Sequence, residues 1–148
     1  MVLFLNKTVA NLNKQVANWG ILYVKIHNYH WNVKGENFFS LHVKFEELYE
    51  YVGKQLDMFA ERVLALGNRP LATMQNYLDV TSLKEASDSE SYRDMVGNIT
   101  NDFVKMSEEL KEAITNAQRE KDEATANMLS ETVTEIEKQI WILKAFLS

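Results

Sequence analysis

Apolar side chains recur every three or four residues through four long segments of this chain, and this spacing constrains its fold more than any other feature. Such spacing places apolar side chains on one face of an α-helix. Only five glycines and one proline occur in the 148 residues, so few breaks interrupt the pattern. The sequence therefore predicts an all-α protein in which four long helices pack their apolar faces together.

The members of each apolar face can be read from the sequence. The first face comprises Leu5, Val9, Leu12, Val16, Trp19, Tyr23, Ile26 and His30, and the second comprises Leu41, Phe45, Leu48, Val52, Leu56, Phe59, Val63 and Leu66. The third comprises Val96, Ile99, Phe103, Met106, Leu110, Ala113 and Ala117, and the fourth comprises Leu129, Val133, Ile136, Ile140, Leu143 and Leu147. We expect the first helix to start near residue 5 and to end in the low thirties. Gly67, Asn68 and Pro70 should end the second.

The segment between the second and third long helices differs from the short connections elsewhere. It includes "LATMQNYLDVTSL", which is apolar enough for a short helix lying across the bundle. A crossover of this length allows the second and third long helices to run parallel. A chain of 148 residues can bury a full core without disulfides, so we predict one domain over residues 1–148.

Positive charge is concentrated at the start of the chain, although the net charge is −5. Residues 1–35 contain Lys7, Lys14, Lys25 and Lys34 and no acidic residue. Lysines spread along a helix do not form the dense basic cluster that nucleic-acid binding usually requires. We interpret them as a solvated face of the first helix.

The chain contains no cysteine, which excludes disulfides and thiolate metal sites. Any metal ion must therefore be bound by histidines and carboxylates. No apolar run approaches the length of a membrane span, and the start of the chain lacks the features of a signal peptide. We expect a soluble, cytoplasmic protein.

All three histidines lie within residues 27–42, and carboxylates follow on the second helix. On a helical wheel, His42, Glu46, Asp57 and Glu61 fall within about 100° of one another, on a face about 130° from the apolar one. Along the axis, however, His42 and Asp57 are about 22 Å apart, whereas metal ligands lie about 2 Å from their ion. One chain cannot use both ends of this helix to bind one ion.

Two antiparallel copies of the helix, related by a twofold axis, remove this difficulty. The His42 end of one copy then lies beside Asp57 and Glu61 of the other, and a short loop brings His30 close to His42. The predicted site contains His30 and His42 from one chain, Asp57 and Glu61 from its partner, and Glu46 as an additional carboxylate. Imidazole and carboxylate ligands suit Fe(II), Mn(II) or Zn(II).

Each of these residues also has an ordinary structural explanation, and only their joint spacing favours a metal site. A histidine on an apolar face is more often a hydrogen-bonded core residue, and carboxylates four residues apart are usually solvated. We assign His27 a supporting position beside the ligands, as for Trp31, whose default role is core packing. Gly53 and Ala60 share the face of the carboxylates and would let a partner helix approach closely.

The stretch "KIHNYHWNVKG", continued by "NFFSLHVKFEELY" and "LDMFAERVLALGNRPLATMQNYL", resembles the Dps mini-ferritins, bacterial iron-storing relatives of ferritin. The shared pattern is H-x11-H-x3-E/D-x10-D-x3-E with Trp after the first His, and the likeness extends to "KQIWILKAFL" at the end of the chain. The resemblance implies a ferritin-like four-helix bundle, with the short extra helix in its crossover.

The resemblance further implies a hollow dodecamer built from twofold dimers, with ferroxidase centres at the dimer interfaces. By position in the motif, the catalytic iron ligands would be His30, His42, Asp57 and Glu61, with Glu46 assisting. The family oxidises Fe(II), typically with hydrogen peroxide, and stores a ferric mineral. This activity would protect DNA from oxidative damage.

Two departures from the family affect other expectations. Some relatives condense DNA with a Lys/Arg-rich tail, which "MVLFLNK" and "AFLS" lack, so direct DNA binding is not the leading interpretation. Acidic threefold pores admit iron in the family; here Asp122 and Glu123, suited to the first turn of the last helix, would line them, with Asn127 at a position that is usually acidic. A DNA-compacting protein and a purely structural bundle remain the alternative interpretations.

Overall fold

The computed structural model describes residues 6–148, and within them the chain forms five α-helices and no strand. The helices are α1 (Lys7–Asn32), α2 (Phe38–Ala65), α3 (Met74–Val80), α4 (Tyr92–Arg119) and α5 (Glu123–Leu147). The prediction of four long helices and a short crossover helix is confirmed. Leu5, which we assigned to the first apolar face, lies outside the described residues. No helix between residues 6 and 148 is both long enough and apolar enough to span a membrane.

Short-range sequence signals determine where the helices begin and end. The side chains of Asn6, Ser91 and Asp122 accept hydrogen bonds from backbone amides in the first turns of α1, α4 and α5. Gly67 follows α2 with φ at +81°, a conformation that glycine adopts without steric penalty. The next amide, of Asn68, donates back into the last turn of α2, so the predicted end of this helix is confirmed.

The crossover between α2 and α4 sets the directions of the helices. Asn18 of α1 bonds to Glu109, whereas Tyr29 near the other end of α1 bonds to Asn98, so α1 and α4 are antiparallel. The short connection between α1 and α2 makes these two helices antiparallel as well. It follows that α2 and α4 run parallel, as the length of the crossover allows.

The predicted apolar faces form the core, with one clear exception. Every predicted member of the third face is buried, and Trp19, Phe45 and Phe103 are fully enclosed. Tyr23 is instead 38% exposed, because it lies on the outer side of α1 against α2. A Cβ atom on Gly53 would lie 2.8 Å from the Tyr23 ring. Gly53 therefore makes room for a side chain of its own chain, and the close approach of a partner helix at this position stays a prediction.

The lysines of α1 do not form one solvated face. Lys25 is buried, and its Nζ donates to the carbonyl oxygen of Lys84 and to Oδ2 of Asp102, both at 2.8 Å. Lys14 is more exposed and pairs with Glu109 at 3.2 Å. The expectation was wrong for Lys25, whose ammonium group joins α1 to the crossover and to α4.

Candidate metal centre

His30 near the end of α1 and His42 near the start of α2 stack face to face. Their ring centroids are 3.8 Å apart, and the ring planes differ by 13°. Each ring also bonds to the backbone of the other residue: His30 Nδ1 to the His42 carbonyl oxygen at 2.7 Å, and His42 Nδ1 to the His30 carbonyl oxygen at 2.8 Å. A carbonyl oxygen only accepts, so Nδ1 carries the proton of each neutral ring and Nε2 retains a lone pair that can bind a metal ion.

Glu46 is the carboxylate nearest to this pair within the chain. Its Oε1 lies 3.9 Å from Nε2 of His30, beyond hydrogen-bonding distance. The His30 side chain is 8% exposed and that of Glu46 is 51% exposed. Because ligands lie about 2 Å from a transition-metal ion, one ion between these atoms could bind both.

Asp57 and Glu61 lie in the other half of α2, and both are exposed. The helical rise separates Asp57 from His42 by about 22 Å along the axis. Within residues 6–148, no three histidine or acidic side chains come close enough to hold one metal ion. The structure thus places His30 against His42 and near Glu46, and does not bring Asp57 or Glu61 to the histidines in one chain.

His27 lies beside the stacked pair and is separated from it by Tyr49. Its Nδ1 donates to the Tyr23 carbonyl oxygen at 2.6 Å, and its ring stacks on Tyr49 with centroids 3.7 Å apart. The Tyr49 ring in turn meets the His30 ring nearly at a right angle, with centroids 5.2 Å apart. Sequence reasoning overlooked Tyr49, although it follows His42 by seven residues and so lies two turns farther along the same side of α2.

Two other rings lie near the histidines. Trp31 is 69% exposed, with its ring centroid 5.2 Å from that of His27, so the expectation that it packs in the core was wrong. It occupies the last turn of α1 on the side away from the bundle. Phe38, the first residue of α2, stacks on His42 with a centroid distance of 5.1 Å and an interplanar angle of 19°. Sequence reasoning also missed Phe38, whose signal was its position one turn before His42.

The three residues that we expected at a pore lie at the start of α5. Asp122 accepts from the Thr125 amide at 3.0 Å, and its Oδ1 lies 3.2 Å from Arg62 Nη2. Burial alone would raise the pKa of Asp122, but its bonds to Thr125 and Arg62 lower it. Glu123 and Asn127 are exposed and lie about one turn apart. Asp122 therefore caps a helix and forms an ion pair, whereas the other two remain at the surface.

Comparisons with known proteins extend over nearly the whole chain. A family model described as a ferritin-like domain matches residues 9–148. A "DNA protection during starvation protein" of Brevibacillus brevis is 52% identical over 136 residues, covering 92% of this chain and 91% of the relative. The crystal structure of a Dps protein from Bacillus brevis superposes with a TM-score of 0.96 at 50% identity, covering 100% of both chains. A Vibrio cholerae O1 Dps protein, titled a member of a broad superfamily of ferritin-like diiron-carboxylate proteins, gives a TM-score of 0.93 at 34% identity over 96% of this chain and 89% of its own.

Proposed function

This chain belongs to the Dps family of ferritin-like proteins, and on that basis we propose that it is a ferroxidase and an iron store. Its substrates are Fe(II) and hydrogen peroxide, and the ferric product is kept as a mineral inside a hollow dodecamer in the cytoplasm. Each copy contributes one ferritin-like domain. Removing Fe(II) and peroxide together prevents their reaction from producing hydroxyl radical, which would damage DNA.

The observation that carries this proposal is the reciprocal hydrogen bonding of His30 and His42. Each Nδ1 donates to a carbonyl oxygen, so the neutral form of either ring has its free lone pair on Nε2, and Nε2 of His30 lies 3.9 Å from Oε1 of Glu46. Two imidazoles with carboxylates form a ligand set that suits Fe(II), and the carboxylates also suit Fe(III). The absence of cysteine from the sequence removes the thiolates that would favour softer metals.

We propose that Asp57 and Glu61 complete the site from a second copy of the chain. On two antiparallel α2 helices, the register that sets His42 beside these carboxylates also sets a twofold axis near the middle of the helix. Each dimer then contains two equivalent sites. The exposure of both carboxylates and their distance from His42 in one chain support this arrangement.

The proposed roles follow from the charges involved. His30, His42, Asp57 and Glu61 are catalytic because they bind the ion that is oxidised, and Glu46 is an additional ligand. Iron gains a unit of positive charge on oxidation, so negatively charged carboxylates stabilise the product more than the substrate. His27 and Trp31 support the site from beside the ligands, with Tyr49 between His27 and the pair.

The proposal also includes iron entry near the start of α5. Exposed Glu123 and Asn127 line the entry, and this residue pair carries less negative charge than two acids would. Asp122 contributes indirectly, since its carboxylate caps α5 and pairs with Arg62. The entry funnel therefore attracts Fe(II) mainly through Glu123.

Fe(II) oxidation by the wild type and by an Asp57→Ala/Glu61→Ala variant tests the proposed site. Both proteins are given Fe(II) with peroxide or with air, and ferric product is followed by absorbance. We expect the variant to be at least about tenfold slower, the scale on which damage to a metal site usually lowers activity. Size-exclusion chromatography confirms that both proteins assemble. Equal rates in assembled protein would show that these carboxylates do not belong to the oxidation site.

Direct DNA compaction is less well supported as the main function. Of the lysines in residues 1–35, Lys25 is buried and Lys14 is paired with Glu109, so few accessible cations lie on α1. Phosphate binding depends on such cations and weakens steeply with salt. Strong gel-shift binding at physiological salt would reverse this ranking.

A further inference from the structure

The Phe38 ring contacts a proposed ligand without being able to bind metal itself. We propose that Phe38 is a positioning residue, which holds His42, and through it His30, in the orientation that receives the metal ion. This inference rests on the proposed function, because it gives Phe38 a task in the site formed by these histidines.

Three rings form a continuous stack at the junction of α1 and α2. Phe38 and His42 are nearly parallel at a centroid distance of 5.1 Å, and His42 and His30 are nearly parallel at 3.8 Å. Phe38 and His30 each contact His42 but make no ring contact with each other among the described residues. They therefore cover opposite faces of the His42 ring.

The stack connects the ligands to the protein core. Phe38 is partly buried and packs against the core cluster of the bundle. It precedes His42 by four residues, so the two side chains lie one above the other on the same side of α2. The position of the His42 ring is thus set by Phe38, whose own position is set by core packing.

Among residues 6–148, Nε2 is the nitrogen of His42 that makes no hydrogen bond. The two faces of the His42 ring are covered, and its Nδ1 is bonded to the His30 carbonyl oxygen at 2.8 Å. Nε2 is therefore the atom that can bind metal. Because the His30 ring stacks on the His42 ring, rotation of the His42 ring would also uncover one face of His30.

Loss of the Phe38 ring should weaken metal binding by freeing His42 before the ion arrives. The ion must then order a side chain that is already ordered in the wild type, and ordering one such side chain corresponds to a loss of about 3- to 10-fold in affinity. A residue that only fills space in the core would affect stability and leave the affinity of the folded protein unchanged.

Three substitutions of Phe38 separate ring stacking from core filling, and a fourth substitution, at Phe39, provides a control. Phe38→Leu removes the flat face but keeps an apolar side chain, whereas Phe38→Tyr keeps the face. Phe39 is 85% exposed and touches Phe38 rather than the histidines, so Phe39→Leu is the matched control. Phe38→Met, which fills space with a flexible chain, is a second variant without a flat face.

Anaerobic titration with Co(II), followed by its visible absorption, tests the inference without any oxidation. We expect Phe38→Leu and Phe38→Met to bind Co(II) about 3- to 10-fold more weakly with an altered spectrum, and Phe38→Tyr and Phe39→Leu to stay within about twofold of the wild type. Circular dichroism and size exclusion select the folded, assembled variants. Wild-type affinity and spectrum in either folded variant that lacks the ring would overturn the role of Phe38.

A His30→Ala/His42→Ala variant distinguishes this result from failure of the proposed function. If it binds Co(II) as well as the wild type does, the histidines are not the site and the proposed function loses its support. If it loses Co(II) while Phe38→Leu retains full affinity, the site stands and only the inference about Phe38 is wrong.

Discussion

The two halves of α2 carry parts of the same proposed site but differ in how they are held. In the first half, His42 is stacked on two rings and bonded to the backbone of His30. In the second half, Asp57 and Glu61 are exposed, and no hydrogen bond or ion pair holds either carboxylate within residues 6–148. One chain therefore orders the imidazoles by itself, whereas it does not fix the positions of the two acids.

Charged groups at the crossover show the bonding that is typical of carboxylates and lysines with a structural role. Lys25 and Asp102 form a buried pair with side chains 5% and 13% exposed. Glu90 accepts from the Ser87 amide and from the Tyr29 hydroxyl, both at 2.9 Å. These groups are bonded within the chain, in contrast to the exposed acids of α2.

The largest effect is expected when the two halves are inactivated in different chains. Neither a His30→Ala/His42→Ala assembly nor an Asp57→Ala/Glu61→Ala assembly should oxidise Fe(II) at a significant rate. In a mixed dimer, the intact histidines of one chain meet the intact acids of the other at one of its two sites. Random mixing of equal amounts should therefore restore about a quarter of the wild-type activity.

Subunit exchange has to be verified before this rate is interpreted. The two variants are unfolded together, refolded as a mixture and checked with distinguishable affinity tags. The same variants refolded separately and then combined provide the control, which should stay inactive. Verified mixed dimers without recovered activity would mean that the two halves do not meet across subunits.

The second prediction concerns the buried pair at the crossover. Lys25→Met leaves the Asp102 carboxylate buried without its cation, and breaking such a pair costs about 3–5 kcal/mol of unfolding free energy. Burial already raises the pKa of Asp102 despite the nearby Lys25 ammonium group. The loss should therefore become smaller as pH falls and the folded protein protonates this carboxyl group.

Urea denaturation at a fixed protein concentration measures this difference. An Asp57→Asn/Glu61→Gln variant is the matched comparison, and its stability should stay within about 0.5 kcal/mol of the wild type, as for other exposed positions. If Lys25→Met also left the free energy of unfolding unchanged, the paired charges of the crossover would contribute no more to stability than the exposed acids of α2.

A smaller effect on stability is expected where the crossover contacts α1 through side-chain packing alone. A Cβ atom on Gly20 of α1 would lie 2.5 Å from the Tyr77 ring of α3, so Gly20→Ala must displace that ring. Overpacking of this kind costs about 1–3 kcal/mol. At Gly97 of α4 a Cβ atom would meet nothing within 4 Å, and Gly97→Ala should stabilise the helix by about 0.5–1 kcal/mol. Thermal unfolding of both variants checks the opposite signs.

The periodicity of the sequence predicted the helices and their order because burial of apolar faces is a repeating, local signal. The proximity of His30 and His42 was also predictable, since a short loop limits how far the two helix ends can separate. The same pattern could not show that Lys25 meets Asp102, 77 residues away, because that contact depends on how α1 and α4 pack.

The side-chain stack was beyond sequence reasoning for a related reason. Phe38 and Tyr49 occupy suitable positions on α2, but stacking depends on rotamers that both helices determine together. Trp31 was wrongly placed in the core because a helical pattern indicates which side of a helix is apolar and not whether another element covers its last turn. Whether the two halves of α2 meet depends on a second chain. The sequence of one chain indicates this only through the spacing between His42 and Asp57.

The smallest expected effect is a change in acid sensitivity at Glu90. Burial alone would raise its pKa, but the Ser87 amide and the Tyr29 hydroxyl outweigh burial and lower the pKa from 4.5 to about 2. Because the folded-state pKa is below the unfolded one, this stabilisation is present above about pH 4.5 and is lost as pH falls toward 2. The free energy of unfolding should therefore fall less steeply between pH 6 and pH 3 in Glu90→Gln than in the wild type.

Glu36→Gln, at an exposed glutamate between α1 and α2, should keep the wild-type slope. Identical slopes in all three proteins would mean that hydrogen bonding of Glu90 in the crossover contributes no more to stability than an exposed glutamate does. The contrast between Glu90 and the exposed acids of α2 would then be lost.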